Sequence, residues 1–504
     1  MQYVISYDLG TGGLKAGLYR IDGVSVGFEF YPYETYYPEP DWHEQHPLDW
    51  WQAVCVSTQK LLQSSGINPA CIAAAAASGQ SLVAAPIGHQ GELLLDSVPI
   101  WSDRRAKAEA AAFFMQVDYE KWYMTTGNGD PPETYAVFKL MWLKKNHPAI
   151  FAKTKAVLGS KDYINYRLTG QIATDYSYAS GSGVFELENW RYSDAFIEAS
   201  GLSRSLFVEP TDSYALVGTV TAEAAGMCGL CKGTKVICGG VDNSCMALGT
   251  TGIGNGRVYT SLGSSAWIAV SADKPILDAK KLPFVFAHVE KGYYTTGVSI
   301  FAAANTYRWA RDTFCVDLSG DPYRQMNGLA ALSPVGANGV MFNPSLAGGS
   351  SQEPSEALLG AFFGLKLSNN RGDILRAVLE GVALSLRCCL AVIDPMIESN
   401  DTMIICGGGA KSDLWMQIFA DIYNKKIVIA NVDQDAASLG AAAIAARGAG
   451  FWEDYSPLDD LFNVQKSFEP VAANRDRYTV IAKWFSQWIK AMAVLHDSMK
   501  AEQK

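Results

Sequence analysis

Apolar, β-branched runs of four to seven residues recur along the chain, at 4–8, 72–78, 235–241, 258–262, 266–270 and 403–406. Between them, apolar positions return every three to four residues. Strands separated by amphipathic helices are the pattern of an α/β fold. One shape occurs twice. Residues 4–21, VISYDLGTGGLKAGLYRI, read as a strand ending at Asp8, a Gly/Thr turn, and a returning strand in which Ala16, Leu18 and Arg20 alternate with Gly17, Tyr19 and Ile21. Residues 258–270, VYTSLGSSAWIAV, repeat it with Gly263, Ser264 and Ser265 at the turn. The chain therefore reads as two units on one plan, 1–245 and 246–450, joined through the Gly/Thr-rich stretch near 245–255. A helical extension, 451–504, closes it. There Tyr478, Ile481, Trp484, Phe485, Trp488, Met492 and Leu495 recur at helical spacing, which predicts a stripe packed on the core.

Composition narrows the function. With 504 residues, 49% of them hydrophobic and 18% charged, the chain has core enough for two domains. A net charge of −10 argues against non-specific nucleic-acid or anionic-membrane binding, so any phosphate contact must be local. No apolar run is long enough to span a membrane and no leader-like segment precedes the first strand, which points to the cytoplasm. The ten cysteines are scattered. Only Cys228 and Cys231 have metal-like spacing, without a second pair, and all ten read as buried thiols. His43 and His46 flank Glu44 but lack a further ligand, which reads as a loop contact.

The first turn has the parts of a phosphate site. Gly10, Gly12 and Gly13 allow close backbone approach, Lys15 supplies a cation, and Asp8 can hold magnesium through water. It is not a Walker loop, which ends in GKS or GKT. Nor is it a Rossmann turn, because a strand rather than a helix follows. An ordinary hairpin has the same local form. A third glycine element, GGGA at 407–410, follows a strand and opens a helix. It offers either a flat wall for adenine or ribose, or simply a tight strand–helix turn. In GGVDN at 239–243, Asp242 follows an apolar strand, where it can serve as a general base or as a helix N-cap.

Taken in order, Asp-x-Gly-Thr, Gly-Gly-x-Asp, Ser-Leu-Gly-Ser and Gly-Gly-Gly-Ala-x-Ser resemble the motifs of the FGGY carbohydrate kinases, nearest the xylulose kinases, over residues 2–450. DWHEQHPLDWW (41–51), ATDYSYASGSG (173–183), RGDILRAVLEGVALSLR (371–387) and DQDAASLGAAAIAARGAG (433–450) add to the resemblance. It implies an α/β architecture of two actin-like ATPase domains, each a ribonuclease-H-like mixed sheet, flanking a central cleft. It also implies ATP and Mg2+ as cofactors, with Asp8 organising the metal and Asp242 as catalytic base. Gly10, Thr11, Gly12 and Lys15 would hold phosphates from the first turn, and Gly263 and Ser264 from the second. Gly408, Gly409, Ala410 and Asp413 would surround the adenosine, with Ala304 and Arg308. Gln80, Ser81, Trp101, Asp103 and Arg104 would bind the sugar, with Asp242 and Asn243. Asp103 would accept from hydroxyls and Arg104 would donate.

Where xylulose kinases show Gly-Gln-Met-His-Gly, this chain has Gly79-Gln80-Ser81-Leu82-Val83. A small ketose, with a ketopentose such as xylulose favoured, or a polyol is the expected acceptor. The resemblance also allows a homodimer. Two other classes fit parts of the pattern. An actin-like ATP- and sugar-binding sensor would need no transfer chemistry, and the chain shows no basic DNA-binding segment to serve it. A nicotinamide enzyme using GGGAKS would need an acidic ribose ligand at the end of the next strand, where only Asp433 follows IVIANV.

Overall fold

The computed structural model describes residues 1–129, 131–350, 352–394, 401–431 and 435–502. Its first sheet is built from β1 (Tyr3–Leu9), β2 (Gly13–Arg20), β3 (Ser25–Pro32), β4 (Ile72–Gly79), β5 (Leu216–Thr219) and β6 (Lys235–Val241), in the order β5-β6-β4-β1-β2-β3. The second contains β7 (Arg257–Leu262), β8 (Ala266–Ala272), β9 (Phe284–Ala287), β10 (Tyr294–Ile300), β11 (Thr402–Cys406), β12 (Lys426–Ala430) and β13 (Val464–Phe468), in the order β9-β10-β8-β7-β11-β12-β13.

The two sheets repeat one design. An antiparallel meander (β1-β2-β3, then β7-β8-β10) is extended by two strands parallel to its first member (β4 and β6, then β11 and β12), and an antiparallel strand closes the edge. The parallel strands are apolar almost throughout because helices cover both faces. On the first sheet these include α1 (Pro47–Ser65) and α3 (Ser160–Thr169).

Helix α4 (Asp242–Thr251) leaves the end of β6 and crosses α8 (Ala436–Gly448), which lies against β1, β4 and β6. The crossing is close because both helices carry glycine at the contact. A Cβ on Gly249 would lie 1.8 Å from the Ala436 carbonyl, and one on Gly440 would lie 2.0 Å from the Cys245 carbonyl. Helix α6 (Arg371–Ile393) is buried along most of its length beneath the second sheet and starts from a capping box in which Asn370 and Asp373 satisfy each other's backbone amides.

Several expectations change. Most of the stretch read as a connection, 245–251, is helical, because Cys245 and Leu248 pack on α8, and only 252–256 turns. The region beyond 451 is not purely helical, since β13 completes the second sheet before α9 (Ala472–Glu502). The α9 stripe is narrower than its sequence suggests. Tyr478, Ile481, Phe485, Ile489 and Ala493 are buried, whereas Trp484 and Leu495 are more than half exposed, being about 100° off that line. Cys388 is exposed, and Cys71 and Cys231 are half-buried, while the other seven thiols are buried. His43 contacts Ser102 Oγ at 2.7 Å and His46 contacts the Asp96 carbonyl at 2.7 Å, so these are loop ties. Asp433 lies outside the described residues.

Candidate active site

Strands β1, β4 and β6 run parallel, and the register sets Asp8 beside Ser78 and Ser78 beside Gly240. Asp8, Gln80 and Asp242 therefore emerge at one edge, the carboxyl ends of the strands, where open α/β sheets bind ligands. Burial pushes the Asp242 carboxyl up to about 7; the nearby Asp8 adds to this, and the Asn243 N–H, 2.8 Å from Oδ1, opposes it. Burial likewise pushes Asp8 up to about 6, helped by Asp435 and opposed by Ser78 and Lys15. Asp242 is not an N-cap. It is the first residue of α4, and Val241 occupies the cap position.

Two mutually repelling carboxylates beside the first turn fit a divalent cation, which would relieve both. Among the described residues no group of three or more His, Cys, Asp or Glu could hold a metal. Magnesium takes most of its ligands from phosphate and water, and Asp8 is the residue that would anchor it.

Lys15 lies across from Asp8 in the β1–β2 pairing, and its Nζ is 2.9 Å from Asp435 Oδ1 at the start of α8. The expected phosphate cation is thus already in an ion pair that links the two halves of the chain. The turn beside it is fixed from behind. Tyr33 donates to the Gly10 carbonyl at 2.7 Å, Gln45 Nε2 to the Thr11 carbonyl at 2.7 Å, and Trp101 Nε1 to Thr11 Oγ1 at 3.0 Å. Carbonyls that would repel a phosphate are thereby engaged. Thr11 and Gly12 are exposed, and a Cβ on Gly12 would meet nothing within 4 Å. Gly13 has another reason. Its φ is +153°, and a Cβ would fall 2.5 Å from the Tyr31 carbonyl, so its missing side chain admits β3 rather than phosphate.

At the second turn, the carbonyls of Gly263 and Ser264 accept from the N–H groups of Ala304 and Ala303, both at 2.9 Å. This docks the turn on the start of α5 (Ala304–Phe314) and brings Gly263, Ser264 and Ala304 together. The Gly407–Gly409 turn packs against the same hairpin. A Cβ on Gly407, where φ is +95°, would lie 2.8 Å from the Leu262 carbonyl, and one on Gly409 would lie 2.5 Å from Leu262 Cδ2. Gly408 is open. Arg308 is exposed and bonded to Asn305, and Asp413 opens α7 (Asp413–Tyr423) in a 2.7 Å ion pair with Lys466. Gly407→Ala is expected to move the turn off the hairpin, raising the KM for ATP roughly tenfold while leaving the acceptor KM nearly unchanged. Steady-state kinetics with each substrate varied would check this, and equal changes in both constants would contradict it.

On the acceptor side Asp103 lies deep in the wall. Asp103 is fully buried and both of its oxygens are engaged, Oδ1 by Arg105 Nε at 2.9 Å, and Oδ2 by Arg105 Nη2 and the His43 N–H, each at 2.7 Å. It braces the wall, and a sugar hydroxyl would have to share its oxygens with these donors. Arg105 also reaches Glu44 at 2.6 Å and stacks over Trp42, while Arg104 pairs with Glu133 at 2.9 Å. Ser81 is buried, Asn243 is half-buried beside Asp242, and Trp101 is 46% exposed.

Gln45 joins the two sides. Its Oε1 accepts from Gln80 Nε2 at 2.7 Å while its Nε2 holds the first turn through the Thr11 carbonyl. Gln45 lies in the DWHEQHPLDWW segment, but its bridging role is not legible there, and Tyr33 has no local signal at all, since the partners of both are distant in the chain.

Comparison with known proteins bears on the family. The family model described as the FGGY family of carbohydrate kinases, N-terminal domain, matches residues 3–249, and its C-terminal counterpart matches residues 258–449. The chain is 28% identical to the xylulose kinase of Bacillus subtilis (strain 168) over 506 residues, covering all of both chains. It is 26% identical to the gluconokinase of Bacillus licheniformis, covering 97% of this chain and 96% of that one. The solved xylulose kinase structure from Rhodospirillum rubrum superposes with a TM-score of 0.90 at 26% identity, over 98% of this chain and all of the other.

Proposed function

Because the chain belongs to the FGGY family of carbohydrate kinases, we propose that it transfers the γ-phosphate of Mg-ATP to a hydroxyl of a small ketose, a ketopentose such as xylulose being favoured. The observation that carries the chemistry is Asp242, set beside Asp8 with its pKa raised to about 7, near the value that suits a general base at neutral pH. Asp242 accepts the proton of the acceptor hydroxyl as that oxygen attacks. Backbone amides of the two turns orient the phosphates, and Lys15 adds positive charge. Asp8 would anchor magnesium, which when bound neutralises phosphate charge. The ten free thiols suit a reducing compartment.

A neutral ketose is favoured over an aldonate by the state of the acceptor wall. Arg104 and Arg105 are both paired with carboxylates, so the cations a sugar acid would seek there are already engaged. Hydroxyls are matched instead by Gln80, Ser81, Asn243 and the face of Trp101. An ADP-release assay with Mg-ATP against ketotetroses, ketopentoses, ketohexoses, pentitols, glycerol and gluconate tests this, with a blank lacking acceptor. The highest kcat/KM is expected with a ketopentose. Gluconate turning over fastest would overturn the acceptor class, and ADP release equal to the blank for every acceptor would overturn the kinase reading.

A further inference from the structure

The acceptor side is made from two loop segments, 79–83 and 100–105, and one buried side chain bridges them. Lys139, on α2 (Ala136–Asn146), is 2% exposed, and its Nζ donates to the Leu82 carbonyl at 2.9 Å and the Ile100 carbonyl at 2.6 Å. Neither bond is to a carboxylate. Burial pushes this amine down to about 7, with Asp103 opposing and Arg105 adding to the shift. An ammonium held in this way is poorer for stability than an apolar chain of the same shape.

Leu82 is strained. Its φ is +60°, a left-handed conformation that branched residues rarely adopt, and next to it Tyr178 Oη contacts both the N–H and the carbonyl of Val83 at 3.1 Å. Strain of this kind persists only where surrounding groups fix it, and Lys139 is the group on the Leu82 carbonyl.

We propose that Lys139 is a positioning residue for acceptor recognition, a two-carbonyl clamp that sets segment 79–83 against segment 100–105. It touches neither reacting atom. The proposal deepens the sugar-kinase reading and rests on it for its kinetic consequence, but the clamp itself can be tested without a sugar.

The first test is hydrogen exchange on the full-length wild type and Lys139→Met without ligands. Protection is expected to fall in 79–83 and 100–105, with the strands of the first sheet unchanged. Unaltered exchange in both segments would overturn the clamp, whatever the protein phosphorylates. The second test is kinetic. Lys139→Met should raise the acceptor KM by roughly 10–100-fold with the ATP KM within about twofold, because only one side of the cleft is loosened. An acceptor KM within about twofold of wild type, in a protein that does turn over sugar, would overturn the proposal.

Lys139→Ala supplies a variant that a structural role alone would not rescue. The missing Cγ to Nζ atoms correspond to n-propylammonium, and a cavity of about 260 Å³ lined by Glu44, Asp96, Arg105 and Trp142 adjoins the site. Added n-propylammonium should recover most of the lost acceptor affinity, and 1-propanol should not. Equal effects of the two would mean that volume rather than the donor matters.

Discussion

Asp242→Asn is expected to lower acceptor phosphorylation by roughly 10²–10⁴-fold while changing ATP affinity by less than about twofold, because the amide keeps the shape of the site but cannot take a proton. In the wild type, kcat/KM should rise with pH through about 7, as the carboxyl held up by burial and by Asp8 ionises. The same shift sets the sign of a stability effect. The folded-state pKa lies above the unfolded one, so between about pH 4 and pH 7 the folded state binds more protons and loses stability as pH rises. Asn at 242 removes that penalty. The variant should be more stable than the wild type at about pH 8, by on the order of 1–2 kcal/mol given the solvent that reaches the cleft, and equal to it below about pH 4. Denaturant titrations at both pH values check this, and a variant with full turnover would exclude Asp242 as base.

The second large effect belongs to the helix crossing. Gly440→Ala places a methyl 2.0 Å from the Cys245 carbonyl, a backbone atom that cannot rotate away. Overpacking here should cost about 2–4 kcal/mol, since α4 and α8 must separate or bend. Activity should fall further than stability, because α4 starts at Asp242, and Asp435, the partner of Lys15, directly precedes α8. Displacing a base by about 1 Å can cost roughly 10²-fold in rate. Gly249→Ala should act in the same way. The double variant should cost less than the two singles added together, as the crossing is already open. A Gly440→Ala protein with wild-type stability and kcat/KM would show that the crossing yields freely and does not position the base.

What the sequence reveals follows from how local each feature is. Strand, glycine turn and strand are written in adjacent residues, so both hairpins, the GGG turn and Asp242 at a strand end are legible, and so is the doubled plan. The enclosure of Asp103 is not legible because it depends on Arg105, Glu44 and the backbone of His43 converging from separate segments. No spacing rule encodes that a carboxylate will be enclosed. Lys139 sits in a segment, AVFKLMWLKK, whose three lysines look alike until the fold buries one of them. Gly13 is a similar case, since a glycine beside a phosphate turn suggests ligand approach, and only the position of β3 reveals a steric reason. Trp484 fits a helical period but not the narrow line along which a long helix meets the second domain.

In the proposed reaction a phosphoryl group passes from ATP to a sugar hydroxyl whose proton Asp242 accepts. Phosphorus NMR of the full-length protein with Mg-ATP and a ketopentose, run alongside Asp242→Asn, tests it most directly. A new phosphomonoester resonance is expected that grows as the γ-phosphate signal decays, depends on the sugar, and is nearly absent in the variant. A γ-phosphate that appears only as inorganic phosphate, with or without sugar, or a phosphomonoester formed equally by both proteins, would contradict it.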